Sequence, residues 1–205
     1  MSGGANPSLT ITVKGTTKQV NPFNDVKKSD WFYDAVMDML GRGLMIGTAD
    51  DKFDPSGTLS RAMIVTVLYR HAGKPVVSGL NNPFDDLADG QWYTGAVKWA
   101  AANGIVTGKG NGKFGPDENI TRQDFAVILY RYAGFAGMAL SVTRDDPDFL
   151  DDADIANYAK EAVEAFFKAG IIDGKPGNRF DPQGSATRVE FAVMIHRMLE
   201  ATTEN

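Results

Sequence analysis

Three arginines stand at matched places in this 205-residue chain: Arg61, Arg122 and Arg188. Each follows a hydroxyl residue (Ser60, Thr121 or Thr187) and precedes an apolar run. Serine or threonine there caps a helix, which puts each arginine at the first helical position. The helix dipole is positive at that end, so a cation is mildly unfavourable and calls for a reason. Two are open. A guanidinium fork beside unpaired backbone N–H groups would make an anion site. Alternatively, the arginines form salt bridges to Asp25, Asp86 and Asp151, which open the three segments, or to a neighbouring segment. Trp31, Trp92 and Tyr158 share a second matched position. As core residues of a helix they need no function. As open rings beside an arginine and a glycine-rich loop, they are what sugar rings stack on.

The spacing that matches these residues extends along most of the chain. The offset from Ala35 to Ala96 is 61, as it is from Arg61 to Arg122. From Ala96 to Ala162 it is 66, as it is from Arg122 to Arg188. A dozen positions at fixed spacing define an internal repeat. The repeats span 22–75, 83–135 and 148–200, joined by polar linkers at Lys74–Asn82 and Phe135–Asp148. Residues 1–21 read as a tail or as the end of a preceding domain. Within them Leu9–Val13 alternates like a strand.

Each repeat reads as helix, loop, helix. Apolar residues at Trp31, Ala35, Val36, Met39 and Leu40 have helical spacing. Gly43-Leu44, Gly104-Ile105 and Gly170-Ile171 are helix stops, glycine taking the left-handed turn and the apolar residue folding back. A loop rich in Asp, Asn and Gly ends in Phe-x-Pro. The second helices open with a cap. In Thr121–Asp124 and Thr187–Glu190 the acid three residues on completes a capping box, whereas the first repeat has Met63 there. One such unit is too small to bury an adequate core. The expected fold is therefore mostly α, with three helix–loop–helix repeats packed as a pseudo-threefold bundle with the second helices central; an open solenoid is the alternative packing.

Composition narrows the function. A net charge of −5 argues against nucleic acid as a partner. No apolar run is long enough to span a bilayer. With no cysteine, thiolate chemistry and disulfides are excluded. His71 and His196 read as surface or packing residues. Neighbouring acids such as Asp145-Asp146 and Asp151-Asp152 read as solvated turns rather than a glycosidase pair. Asp50–Asp54 lacks the alternating ligands of a calcium loop. The expectation is a non-enzyme with no cofactor and no metal. Met1–Gly4 has neither the basic start nor the apolar stretch of a signal peptide, so any export signal is expected outside this segment.

The pattern Phe-x-Asp-Val…Trp…Ala-Val…Gly…Gly…Phe-x-Pro…Thr-Arg-x-Glu resembles the S-layer homology module, which anchors exported bacterial proteins to the cell wall. The resemblance covers residues 22 to 200 and its usual three copies. It implies an extracellular monomer shaped as a three-pronged spindle with internal threefold pseudo-symmetry. It also implies grooves between adjacent modules that bind a secondary cell wall polysaccharide, commonly bearing ketal-linked pyruvate. The pyruvate carboxylate would meet the arginines. A self-assembling or protein-binding scaffold of the cell surface is the alternative. The family often has Asp-Gly before the loop phenylalanine, and only Gly112 keeps the glycine; Asp51 and Asn178 stand at its place. Side chains there are expected to crowd a ligand, and Asp51 to repel a carboxylate. The second repeat, with Trp92, Gly112 and Arg122, then ranks first. Arg122→Ala is expected to cost the most binding, about 1.5–3 kcal/mol, and Arg61→Ala the least.

Overall fold

The computed structural model describes residues 20–201. The proposed strand at Leu9–Val13 lies outside them. Among the described residues there are six α-helices and isolated β-bridges but no sheet. Each repeat supplies a pair: α1 (Tyr33–Gly41) and α2 (Arg61–His71), α3 (Thr94–Ala102) and α4 (Arg122–Phe135), α5 (Asn157–Lys168) and α6 (Arg188–Ala201). A short 3-10 turn at Asp152–Asp154 precedes α5 and takes up the residue inserted in the third repeat. None of these helices is long and apolar enough to cross a membrane.

The stops and caps follow the sequence closely, with one exception. Leu44, Ile105 and Ile171 donate their N–H groups to Met39, Ala100 and Phe166, five residues back, while Gly43, Gly104 and Gly170 hold φ between 66° and 72°. This is the Schellman closure, and its positive φ is what glycine supplies at low cost. Ser60, Thr121 and Thr187 accept from the N–H three residues on, at 3.2–3.3 Å. In the third repeat Glu190 reaches back to the Thr187 N–H at 2.9 Å and completes the box. In the second, the shorter Asp124 makes no such return among the described residues. Its carboxylate faces Tyr158 and Arg61 instead.

The modules interlock in order. α2 packs on α3, α4 on α5, and α6 returns to α1. The chain just before each second helix carries a matching ring of backbone bonds. Ile120 donates to Leu59, Ala186 to Ile120, and Leu59 to Ala186, at 3.0–3.3 Å. Buried residues of all three repeats form one apolar cluster, including Leu68, Phe125, Leu129, Phe191 and Ile195 of the second helices. Phe125 and Phe191 meet across α4 and α6 with ring centroids 5.2 Å apart. The small unit thus gains a shared core from its neighbours.

Candidate functional site: two grooves at the module boundaries

Each boundary is built on the same stack. The opening phenylalanine of a module (Phe23, Phe84 or Phe149) lies against its loop phenylalanine (Phe53, Phe114 or Phe180), centroids 5.4–5.6 Å apart. The loop runs so close over the opening ring that a Cβ on Gly47, Gly108 or Gly174 would sit 2.7–2.9 Å from it. The opening aspartates pin the same loop. Asp25 accepts from the N–H groups of Phe53 and Asp54, Asp86 from Phe114 and Gly115, and Asp151 from Phe180 and Asp181, all at 2.7–2.9 Å. Burial raises the carboxyl pKa of Asp86 and Asp151, but these backbone bonds outweigh it and hold both below the ordinary value.

The arginine of the adjoining module covers the stack. Arg61 lies over the Phe114 ring and donates Nε–H to the Phe114 carbonyl at 2.8 Å. Arg122 does the same with Phe180, also at 2.8 Å, and Arg188 with Phe53 at 2.7 Å. All three are buried, at 5–9% exposure. Among the described residues none pairs with the opening aspartates of its own module; the salt-bridge alternative holds only toward a neighbouring module. Desolvation lowers the pKa of Arg61 and Arg188, with nearby carboxylates opposing it. The backbone part of the anion-site expectation is overturned. The first two N–H groups of each second helix go to the next module's carbonyls, such as Arg61 to Glu118 and Ala62 to Pro116. The third goes to the cap. What remains available to a ligand is the outer edge of the guanidinium.

Two grooves open on these edges. The first, here the Tyr158 groove, has a volume of about 360 Å³. Arg61 of the first module, Thr107–Lys109 and Asp124 to Arg131 of the second, and Tyr158 of the third line it. The second, the Trp31 groove, holds about 310 Å³ between Arg122, the loop Asp173–Pro176, Glu190, Arg197 and Trp31. Three modules therefore build each groove, where the sequence suggested two. The aromatic partner of an arginine comes from a different module: Arg61 meets Tyr158, and Arg122 meets Trp31, not Trp92.

The three aromatic rings are not core. Trp31 is 71% exposed, Trp92 59% and Tyr158 57%. Trp31 and Trp92 precede their helices and stand edge-on to the next residue's ring, Phe32 and Tyr93. Periodicity alone counted Trp31 on the buried face because it falls one turn before Ala35. Tyr158 is held: its hydroxyl donates to Asp124 at 2.6 Å and accepts from Gln123 at 3.0 Å, and burial together with Asp124 pushes the phenol pKa up to about 12.

Gly112, Asp51 and Asn178 lie away from both grooves. Gly112 sits at φ +68°, where a Cβ would strike the Asp85 carboxylate at 2.8 Å. Asp51 accepts from Asn24 and Asn178 donates to Asp148, so these side chains close their own turns and crowd no arginine. Conversely, a second arginine series went unread: Arg70, Arg131 and Arg197, at the same offsets of 61 and 66. It was legible as a repeated cation in the later half of an apolar helix. His71 and His196 join second helices to neighbours, His71 to Tyr132 and His196 to Asp38.

The chain matches the S-layer homology domain over residues 22–62, 83–126 and 148–192. It belongs to that family, whose role is anchoring at the cell surface. It is 32% identical over 97% of its length to Exoglucanase XynX of Acetivibrio thermocellus, covering 18% of that protein. It is 29% identical over 93% of its length to the Surface-layer 125 kDa protein of Lysinibacillus sphaericus, covering 16% of it. It also aligns, at 31% identity over 78% of its length, with 7% of Cell surface glycoprotein 1 of Acetivibrio thermocellus. The chain thus spans less than a fifth of each of these relatives.

Proposed function

We propose that this chain is a non-catalytic wall anchor that grips an acidic secondary cell wall polysaccharide, the acid being a ketal-linked pyruvate. The three modules act as one monomeric pseudo-threefold spindle. The ring of backbone bonds through Leu59, Ile120 and Ala186, and the return of α6 to α1, support that arrangement.

One observation carries the ligand reading. Arg61 has no hydrogen-bond partner for Nη2 among the described residues, yet no wholly buried polar side-chain atom lacks a partner, so Nη2 reaches the groove surface. Arg131 lines the same groove, and among the described residues its one side-chain hydrogen bond is to the Thr107 hydroxyl at 3.3 Å. Two guanidinium edges with spare donors suit a carboxylate, and guanidinium binds that group with directional, charge-assisted bonds. The open face of Tyr158 offers a stacking surface to the attached sugar ring.

The test is sedimentation with purified cell wall stripped of protein, before and after chemical removal of the secondary polymer, and again after removal of pyruvate alone. Binding should be lost once the polymer is removed and should weaken sharply once pyruvate alone is removed. Retention after polymer removal would favour self-assembly or a protein partner. Unchanged affinity after pyruvate removal alone would leave the arginines purely structural.

A further inference from the structure

We propose that the Trp31 groove takes an uncharged sugar where the Tyr158 groove takes an acidic one, and that Asp173 sets the difference. The inference rests on both grooves being seats for wall glycan. Their walls correspond place for place: Lys109 with Lys175, Asp124 with Glu190, Arg131 with Arg197, Tyr158 with Trp31. The exception in charge is Thr107, whose counterpart is Asp173.

That exchange occupies the anion seat from within. Asp173 Oδ2 accepts from Arg197 at 2.5 Å, and Oδ1 from Arg144 at 2.8 Å, Arg144 reaching in from the linker outside the groove. Glu190 takes Arg122 at 2.6 Å, against 3.4 Å for the matching Asp124–Arg61 contact. Arg122 also gives Nη2 to the Asp173 carbonyl at 3.4 Å, so all three of its nitrogens are engaged. Lys175 stands 3.2 Å from Asp181 and 3.7 Å from Glu190. Three cations facing one wall carboxylate in the Tyr158 groove become three facing two here. A ligand carboxylate entering would lie against Asp173 and would have to displace it from two arginines. An uncharged pyranose meets no such repulsion. Its apolar face can lie on Trp31 and against Pro176, Val193 and Met194, and its hydroxyls can bond the outer edges of the paired ions. The volume sits at the lower end of small-ligand sites, roughly 300–1,000 Å³.

Two N–H groups read the grooves separately in a ¹⁵N spectrum of the intact chain. The Trp31 indole N–H, assigned from W31F, reports one. The Arg61 Nε–H, bonded to the Phe114 carbonyl, reports the other. The probes are a one-repeat wall fragment bearing the pyruvate ketal and the same fragment after acid removal of the ketal. The Trp31 midpoint should agree for the two within about twofold, while the Arg61 midpoint should rise about tenfold or more without the ketal. In D173T, which copies Thr107, and in D173N, the Trp31 midpoint should come to favour the ketal-bearing fragment by about fivefold or more. A wild-type Trp31 midpoint that follows the ketal as Arg61 does would overturn the proposal, as would no Trp31 response to either fragment or no gain of preference in both Asp173 variants. An Arg61 signal indifferent to the ketal would instead refute the acidic-ligand reading of the first groove, while Trp31 still decides this one.

Discussion

The two grooves are the same construction carried to different ends. Both rest on a phenylalanine stack capped by a buried arginine, and both present an aromatic ring from a third module. In the Tyr158 groove the arginines are under-used and the ring is tied by its hydroxyl. In the Trp31 groove Arg122 has all three nitrogens engaged, Arg197 is ion-paired to Asp173, and no hydrogen bond is found for the indole among the described residues. A repeat preserves the scaffold because every module must lock onto the next. It leaves the groove walls free to diverge, since Thr107 or Asp173 can stand at one place without touching the stack. The difference teaches that Arg61 and Arg122 are structural ties first, and that the proposed ligand chemistry rests on what surrounds their outer edges.

The largest effect should come from cutting the tighter tie. Arg122→Ala removes the partner of a mostly buried Glu190 and leaves the Phe180 carbonyl without its donor. Breaking a buried pair from one side costs about 3–5 kcal/mol, and the partial exposure of Glu190 places the expectation at the low end, about 3 kcal/mol by urea unfolding. Arg61→Ala, whose carboxylate contact is 3.4 Å, should cost distinctly less. Equal losses would mean that the carbonyl bond and ring stacking, which the two share, hold the boundary, and that the acids matter little. Either way, alanine at these positions confounds binding with folding, so the ranking of sites by arginine-to-alanine losses alone cannot be used.

The cleaner probe of the comparison is Arg131. It lies on α4 facing the Tyr158 groove and is anchored by a single hydroxyl contact, so Arg131→Gln should leave stability within about 0.5 kcal/mol. Binding of the ketal-bearing fragment should weaken by about 1.5–3 kcal/mol, the worth of a hydrogen bond to a charged group. Arg197→Gln in the other groove should do the reverse, disturbing the Asp173 tie while leaving affinity for that fragment nearly intact. Calorimetric titration of both variants decides it. A larger binding loss from Arg197 would exchange the roles of the grooves.

The frame of the molecule was legible in the sequence because repetition exposes it. Gly43, Gly104 and Gly170 recur where a left-handed turn is needed, and Ser60, Thr121 and Thr187 where a cap is needed, so helix ends could be placed from local chemistry. Groove membership was not legible, for a physical reason. An offset of 61 or 66 reports which residues are alike, not which residues meet. At both grooves the meeting depends on one module handing its arginine to the next while the third supplies the aromatic ring. Matching Trp92 to Arg122 because both lie in the second repeat therefore paired residues of different boundaries. The core alternative for Trp31 fails for a similar reason, since helical periodicity cannot see that the helix begins only at Tyr33.

Acid should sharpen the contrast more gently. Burial raises the Asp173 carboxyl pKa, but the hydrogen bonds from Arg197 and Arg144 outweigh it and keep the group below its ordinary value. A folded-state pKa below the unfolded one gives stability that is present above the unfolded value, near pH 4, and is lost as pH falls through the folded value. Wild type should therefore exceed D173N slightly at pH 6, by about 1 kcal/mol or less for so exposed a carboxylate. The gap should close below pH 4. A gap that widened on acidification would contradict the ion-pair reading of this wall.

Tyr158→Phe, whose effect on binding should be small, isolates the ring from its tether. The hydroxyl gives Asp124 a bond at 2.6 Å and takes one from Gln123 at 3.0 Å, so its loss should cost about 0.5–1.5 kcal/mol of stability. The phenyl face remains for a sugar to stack on. Freed from Tyr158, Asp124 can turn toward Arg61, whose present contact of 3.4 Å is loose. The Tyr158 groove would then move toward the saturated state of its neighbour, in which Glu190 holds Arg122 at 2.6 Å. Affinity for the ketal-bearing fragment should fall by less than about 1 kcal/mol, because Arg131 and its spare donors are untouched. Affinity for the ketal-free fragment should stay level, since stacking does not depend on Asp124. Equal losses for both fragments would locate the effect in the ring itself, and a gain for the acidic fragment would show that Asp124 turns away from Arg61 when its tether is cut.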